Sequence, residues 1–469
     1  MKIILANSIV SRDLPRYYVS NAYPCLGLLY IAGVLKKDFP NLDIKYLEAD
    51  YTVNSLLGTL SSYRPEIFGL YIPTDAFQMS YKVINEIKKQ FPNIFVVAGG
   101  PHPTAMPEEV LNESLADVVC IGEGEKTMLE IVRHKMKSTI ALDEIDGIAY
   151  RENGSIIRTK DREYIEDIDS IQWPLWDLID IHNYKGRQFK KAKAKACVLA
   201  ARGCPFNCTF CSNPIWKLNE PWLRVRKPEC ISEEIEYLYQ KGIKDIYLRA
   251  DELNCDVRWA IEVCKEITKL NHKDLFLSTN LRVDQVPEEL AKALKDANFW
   301  IVFLGVESAN DRVLRGVGKM ITVDNAINAF RTLKKAGIMV STNVMLYNLW
   351  EENETLCYET PEEVENTFKF IKGCVNANLI DYLAWGITTP YPGSQLWGLN
   401  KKYNFMRKDR FKKGTLQITT SLPGLSDKEI RRSRRKFQLL QAYLAFKSGN
   451  IEWRLLGRMI DRVKYLFST

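Results

Sequence analysis

The chain has 469 residues, of which 46% are hydrophobic and 26% charged, and it carries a net charge of +7. That length exceeds one ordinary core, so two or three domains are expected, and the composition excludes a disordered or low-complexity chain. No run of about 18 apolar residues occurs, the apolar start Ile3-Ile4-Leu5-Ala6 is too short for a secretory signal, and eleven scattered cysteines form no disulfide framework; a cytoplasmic protein is expected.

Residues 1–135 alternate strands and helices. Ile3–Ala6, Ile44–Leu47, Ile67–Tyr71, Ile94–Ala98 and Val118–Ile121 read as short apolar strands. Leu26–Lys37, with Leu28, Leu29, Ala32 and Leu35 on one face, reads as a helix, as do Val53–Ser62 and Tyr81–Lys89. This alternation predicts an α/β, Rossmann-like domain with a parallel sheet covered on both faces. In such a domain ligands gather beyond the carboxyl ends of the strands, where glycine lets backbone approach a cofactor. The loops Tyr71–Phe77, Gly99–Thr104 and Gly122–Glu125 stand there, although tight turns alone also account for their glycines.

Residues 136–195 read as a connection. Ile148–Ile157 is a hairpin signal around Asn153-Gly154. Trp173-Pro174-Leu175-Trp176-Asp177-Leu178 reads as packing between domains, and Lys190, Lys191, Lys193 and Lys195 mark an exposed approach to the second half of the chain.

The loop Arg202-Gly203-Cys204-Pro205-Phe206-Asn207-Cys208-Thr209-Phe210-Cys211 comes directly after the apolar run Cys197–Ala201. Three thiolates can hold three irons of a [4Fe–4S] cube and leave the fourth iron open for chemistry. Gly203 lets the backbone bend and Pro205 stiffens it. Zinc is the alternative for soft thiolates, yet no second cysteine pair stands nearby and none of the four histidines is close in sequence. Cys204, Cys208 and Cys211 resemble the signature of the radical S-adenosylmethionine (SAM) enzymes, with Phe210 at the aromatic position before the last cysteine. The resemblance implies that the open iron binds the amino and carboxylate groups of SAM. One electron, from a donor such as flavodoxin or ferredoxin, then yields a 5′-deoxyadenosyl radical.

Residues 196–400 alternate again, with strands expected at Cys197–Ala201, Asp245–Arg249, Leu275–Thr279, Trp300–Gly305, Met339–Leu346 and Leu383–Thr388. Six strands predict a partial (β/α)6 barrel with its working residues at strand ends. By the same resemblance Phe210, Asp251, Glu252, Arg282 and Glu307 are expected beside SAM. An N-cap explains Asp251 equally well, and an ion pair with Asp284 explains Arg282 equally well. The usual glycine-proline turn after the fifth strand is replaced by Tyr347–Glu354, expected to shape the substrate pocket. Tyr391, in Thr389–Ser394, is a candidate proton or hydrogen-atom donor, or a packed loop residue.

Tyr23–Ala32, the Gly99–Thr104 loop and Gly122–Glu125 together resemble the cobalamin-binding domain that precedes the radical SAM domain in one subfamily. That resemblance implies cobalamin near Gly27, Pro73, Thr74, Asp75, Gly99, Gly100, His102, Gly122, Glu123 and Gly124. The wider cobalamin family carries an Asp-x-His-x-x-Gly motif; here Gly27 matches its glycine, but Ala22 replaces the aspartate and Pro24 the histidine. Proline cannot ligate cobalt, so no lower histidine ligand is expected. His102 reads as a contact to the cofactor tail or as a structural residue.

Residues 401–469 hold eighteen Lys/Arg against five Asp/Glu, so the rest of the chain is net negative. They read as a basic helical region, a solvated face by default and otherwise a contact for RNA, an anionic membrane or an acidic carrier. The resemblance implies a methyltransferase acting on an unactivated carbon or phosphorus centre of a small-molecule or peptide substrate. Its rivals are a cobalamin-containing cyclase or oxidase, a radical SAM RNA-modifying enzyme, and a non-catalytic cobalamin or SAM sensor. An RNA methylthiotransferase would need three further cluster cysteines in the first domain, which offers only Cys25 and Cys120.

Overall fold

The computed structural model describes residues 1–9, 22–136, 140–186, 191–406 and 426–447. Its first sheet begins with β1 (Lys2–Asn7), β2 (Asp43–Leu47), β3 (Ile67–Tyr71), β4 (Phe95–Gly99) and β5 (Val118–Cys120), paired in parallel in the order β2-β1-β3-β4-β5. Ile3, Ile4, Leu5 and Ala6 are all buried, because a parallel strand covered on both faces needs an unbroken apolar run. Leu28, Ala32 and Leu35, with Met128 and Ile131 of helix Gly124–Lys135, cover one face. Helices Val53–Tyr63 and Phe77–Gln90 cover the other through Leu56, Leu60, Val83, Ile84 and Ile87.

The hairpin expected in the connection joins this same sheet. β6 (Ile148–Glu152) and β7 (Ser155–Arg158) extend it antiparallel from β5. Asn153 and Gly154 both take positive φ, 50° and 81°, as a two-residue turn of this hand requires. The Trp173–Leu178 stretch then crosses helix Leu26–Asp38. Leu175 N–H donates to Leu29 O at 3.0 Å, and the buried Trp176 donates from Nε1 to Glu234 Oε1 at 3.2 Å.

The second half opens with β8 (Ala196–Leu199), β9 (Ala201–Arg202) and β10 (Arg224–Val225). It continues through β11 (Asp245–Arg249), β12 (Phe276–Leu281), β13 (Phe299–Glu307), β14 (Met339–Leu346), β15 (Leu349–Glu352), β16 (Thr355–Tyr358) and β17 (Tyr382–Ile387). Six of these form a wholly parallel sheet in the order β17-β14-β13-β12-β11-β8, a partial barrel.

Three expectations change. The apolar run Cys197–Ala201 is not one strand, because at Ala200 the chain bends between Arg249 O and Arg226 N. Ala201-Arg202 then leave the barrel to pair antiparallel with β10. The stretch after β14 is not an irregular loop but a hairpin, β15–β16. Its Trp350 is buried against Val313 and Val317, where a Cβ on Gly316 would lie 2.2 Å from the indole. Lys195 is not exposed but fully buried, with Nζ 3.0 Å from the equally buried Asp245 Oδ1, so the pair closes the foot of β8 against β11.

Of the basic helical region expected over 401–469, helix Asp427–Lys447 is described; residues 407–425 and 448–469, like Lys190, lie outside the described residues. Helix Asp427–Lys447 buries Ile430, Phe437, Leu440 and Leu444, sets the Phe437 ring edge-on to Phe368 and tilted to Trp385, and donates from Gln441 Nε2 to Leu383 O at 2.8 Å. No described helix is long and apolar enough to cross a membrane.

Gly33 marks how closely the connection approaches the first domain. A Cβ there would sit 2.3 Å from Trp173 O. Glycine to alanine inside a helix ordinarily stabilises by about 1 kcal/mol, but backbone cannot yield here. Gly33→Ala is therefore expected to destabilise by about 2 kcal/mol, read from the shift of a denaturant-unfolding midpoint.

Candidate functional site

The cysteine loop is held on three sides. Gly203 takes φ +86°, and a Cβ on it would fall 1.7 Å from Trp222 O across the β9–β10 ribbon, so only glycine suits this position. Thr209 N–H donates to Val317 O at 2.9 Å, Leu396 N–H donates to Thr209 O at 2.9 Å, and the Arg282 guanidinium lies 3.6 Å from the centre of the Phe206 ring. Cys204, Cys208 and Cys211 are free, partly exposed thiols. A hydrogen bond from Cys255 holds Cys204 down to about 7, whereas burial pushes Cys211 up to about 12 and raises Cys208 as well. Ligation must drive those protons off. Three soft donors along one loop suit the separated corners of an iron–sulfur cube.

Behind the loop stand the acids from the strand ends. A register shift between Gly305 and Glu307 and a φ of 68° at Glu307 turn that carboxylate toward Lys319, whose Nζ lies 3.3 Å from Glu307 Oε1 and 3.9 Å from Glu252 Oε1. A Cβ on Gly305 would come 2.4 Å from Glu307 Oε1, so the bare backbone makes room for the pair. Burial pushes Glu252 up to about 8 against the pull of Lys319. Lys319, although burial works against its charge, is raised by Glu307 and Glu252.

Asp251 accepts from Asn213 Nδ2 at 3.0 Å and caps no helix; Asp256 caps Val257–Lys269 instead. Arg282 is in the ion pair, with Nε 2.9 Å and Nη2 3.1 Å from the Asp284 carboxylate and Nη2 also donating to Lys319 O. Phe210 packs against Val313, Val317 and Trp350. Glu359 joins the ends of β13 and β14, accepting from Ser308 Oγ at 2.7 Å and from Asn348 Nδ2 at 2.9 Å.

A cavity of about 330 Å³ lies between the two sheets. Gly27, Tyr71, Gly99, Gly100 and Gly122–Gly124 line it from the first, and Arg202, Gly203, Arg249 and Asp251 from the second. Gly27 fronts open space, and Gly100, at φ +105°, leaves no room for a Cβ beside the Tyr71 ring. These bare backbone surfaces suit a large flat cofactor. Pro73, Thr74 and Asp75 fall in the turn after β3 and do not line the cavity. His102 is fully buried, stacked 4.6 Å from the Phe77 ring with Nε2 2.9 Å from Tyr81 Oη, so it belongs to the packed core. Tyr391 packs against the core of the first sheet and is also outside the cavity.

An ionic clamp closes the cavity on the cluster side. Glu123 takes Arg224 in a two-pronged bond, Nη2 at 2.7 Å and Nη1 at 3.0 Å, and also meets Arg202 at 3.1 Å; Arg202 reaches Glu125 at 2.6 Å. Burial pushes the Glu123 carboxyl up, but the hydrogen bonds and charges of Arg224 and Arg202 hold it below its ordinary range. Sequence reasoning named Glu123 but missed Arg202, Arg224, Lys319, Cys255 and Arg249. Only Arg202, directly before Gly203, carried a positional signal.

The "Radical SAM superfamily" model matches residues 198–371 and the "B12 binding domain" model residues 18–132. The chain is 33% identical to Uncharacterized methyltransferase PH0819 of Pyrococcus horikoshii, over 95% of this chain and 92% of that protein. It is 29% identical to the anaerobic magnesium-protoporphyrin IX monomethyl ester cyclase of Rubrivivax gelatinosus, over 86% of this chain and 74% of that one. Among solved structures, the cobalamin-dependent SAM radical enzyme OxsB with aqua-cobalamin and SAM bound superposes with a TM-score of 0.72 at 16% identity, covering 92% of this chain and 66% of that longer one. The radical SAM methyltransferase TsrM from Kitasatospora setae, with cobalamin and a [4Fe–4S] cluster bound, superposes with a TM-score of 0.65 at 16% identity, covering 84% and 76%. These likenesses are of fold.

Two outcomes are expected from the charges. Arg224→Met strands part of the buried Glu123 charge and is expected to cost about 3 kcal/mol in a denaturant titration. Burial pushes Glu359 up to about 7 from 4.5. The native state then holds this proton more tightly than the unfolded chain, a stabilisation present below 4.5 and lost as pH rises through about 7. Between pH 5 and 8 the wild type should therefore lose stability relative to Glu359→Gln, on the order of 2 kcal/mol; a constant gap would contradict it.

Proposed function

We propose that this chain, which belongs to the radical SAM enzymes carrying a B12-binding domain, transfers a methyl group to an unactivated carbon or phosphorus centre. The observation that carries the reading is the shared cavity, lined at once by the glycine loops of the first sheet and by strand ends and cluster loop of the second. When bound, the cluster with SAM supplies a 5′-deoxyadenosyl radical and the cobalamin supplies a methyl group. Cys204, Cys208 and Cys211 hold the cluster, and Gly203 lets their loop lie flat against the β10 side. Glu307, Glu252 and Lys319 offer a buried, charge-balanced pocket for the ammonium and carboxylate of SAM. Gly27, Gly99, Gly100 and Gly122–Gly124 would cradle the face of the cobalamin. The clamp of Arg202 and Arg224 on Glu123 and Glu125 keeps the two cofactor loops in register and helps exclude water between them.

A second reading is favoured by the cyclase relative, which matches over most of this chain: a radical rearrangement without methyl transfer. The two readings differ in what SAM becomes.

Protein reconstituted anaerobically with iron, sulfide and cobalamin should hold about four irons and one cobalamin per chain. Given SAM and reductant, methyl transfer requires both S-adenosylhomocysteine and 5′-deoxyadenosine. Cys208→Ala should abolish 5′-deoxyadenosine while cobalamin stays bound. 5′-Deoxyadenosine without S-adenosylhomocysteine would replace methyl transfer by the rearrangement.

A further inference from the structure

One cation in the cavity stands outside the clamp. Arg249 ends β11, where strand alternation sets Tyr247 and Arg249 on the face opposite the fully buried Ile246 and Leu248. That face is the bore of the partial barrel. Three arginines line the cavity, and two of them, Arg202 and Arg224, are neutralised by Glu123 and Glu125. The Arg249 guanidinium has no hydrogen bond or ion pair with any described residue. The nearby acid, Asp251, is engaged by Asn213.

Arg249 is exposed into this cavity and not packed away, so its two-pronged donor can take an anion that enters. The surroundings say where that anion sits. Tyr71 faces Arg249 from the first sheet, and Tyr247, one alternation back along β11, carries Tyr23 at 5.7 Å and Phe303 at 6.0 Å on its ring. On neighbouring β12, the Asn280 amide donates weakly to Ala250 O and Asp251 O at 3.4 Å. Arg249 is thus one planar two-pronged donor at the mouth of the barrel, beside Tyr71 in the cavity and one alternation from the aromatic group of Tyr247, Tyr23 and Phe303.

We infer that Arg249 binds the anionic group of the substrate, and hence that the substrate carries a carboxylate or phosphate presented to the guanidinium fork. The inference rests on the reading of this cavity as the place where substrate meets both cofactors. It adds the chemical class that the reading leaves open, and it makes Arg249 a binding residue with no part in the radical chemistry.

The test uses protein carrying cluster and cobalamin, as wild type, Arg249→Met and Arg249→Lys. Inorganic pyrophosphate and succinate are titrated by calorimetry, SAM affinity is measured by equilibrium dialysis, and cobalamin per chain by absorbance. At least one anion should bind the wild type saturably. Arg249→Met should weaken it by about tenfold or more, Arg249→Lys should restore part of the affinity, and SAM and cobalamin binding should stay unchanged. The inference is overturned if neither anion binds the wild type, or if Arg249→Met binds the anion as well as the wild type does. It is equally overturned if Arg249→Met loses SAM or cobalamin, since the anion would then be the carboxylate or the phosphate of a cofactor. Anion binding is read without turnover, so a failure of methyl transfer leaves this result standing and is recognised separately.

Discussion

The bidentate bond between Arg224 and Glu123, with Arg202 and Glu125 beside it, is the contact on which the rest of the site depends. Two sheets built from similar parallel units have no reason of their own to face each other at one fixed distance. Here the loop leaving β5 and the ribbon that carries the cysteine loop are joined by side chains taken out of water. Such a network is a poor source of net stability, because desolvation consumes most of the attraction. Its value is geometric: the planar forks accept only one arrangement of the carboxylates. Apolar packing of the Trp173–Leu178 crossing against helix Leu26–Asp38 supplies the cohesion, and the ions supply the register.

The acids behind the cluster loop obey the same logic with a different balance. Lys319 stands between two carboxylates, and the buried Glu252 keeps its proton up to about 8. The pocket is thus close to neutral, and a zwitterion that brings one charge of each sign can enter without leaving a surplus. The bulge at Gly305 and the left-handed backbone at Glu307 impose strain that the barrel offsets by packing, as working positions commonly do.

Much of the fold was legible in the sequence because parallel strands are buried on both faces and declare themselves as apolar runs. β1 and β3 are of this kind. The cysteine loop was legible because its ligands are close together along the chain. What stayed hidden was whatever depends on neighbours distant in sequence. Lys319 meets Glu252 across 67 positions, and Arg224 meets Glu123 across 101. His102 has the look of a cofactor contact in the sequence, and only Phe77 and Tyr81, which enclose it, make it a core residue. The bend at Ala200 was invisible for a similar reason. It is set by Arg249 and Arg226 and by nothing in the apolar run itself.

The helix Asp427–Lys447 attracts notice for its charge, yet its buried side has the more general consequence. β17 is the outermost strand of the partial barrel and pairs with β14 alone among the described strands. A free strand edge is a template on which another chain can pair. Phe437 covers the flank of this one, and Gln441 occupies the backbone carbonyl of Leu383. An incomplete barrel leaves a seam, and the basic helix that seemed an appendage guards it against self-association.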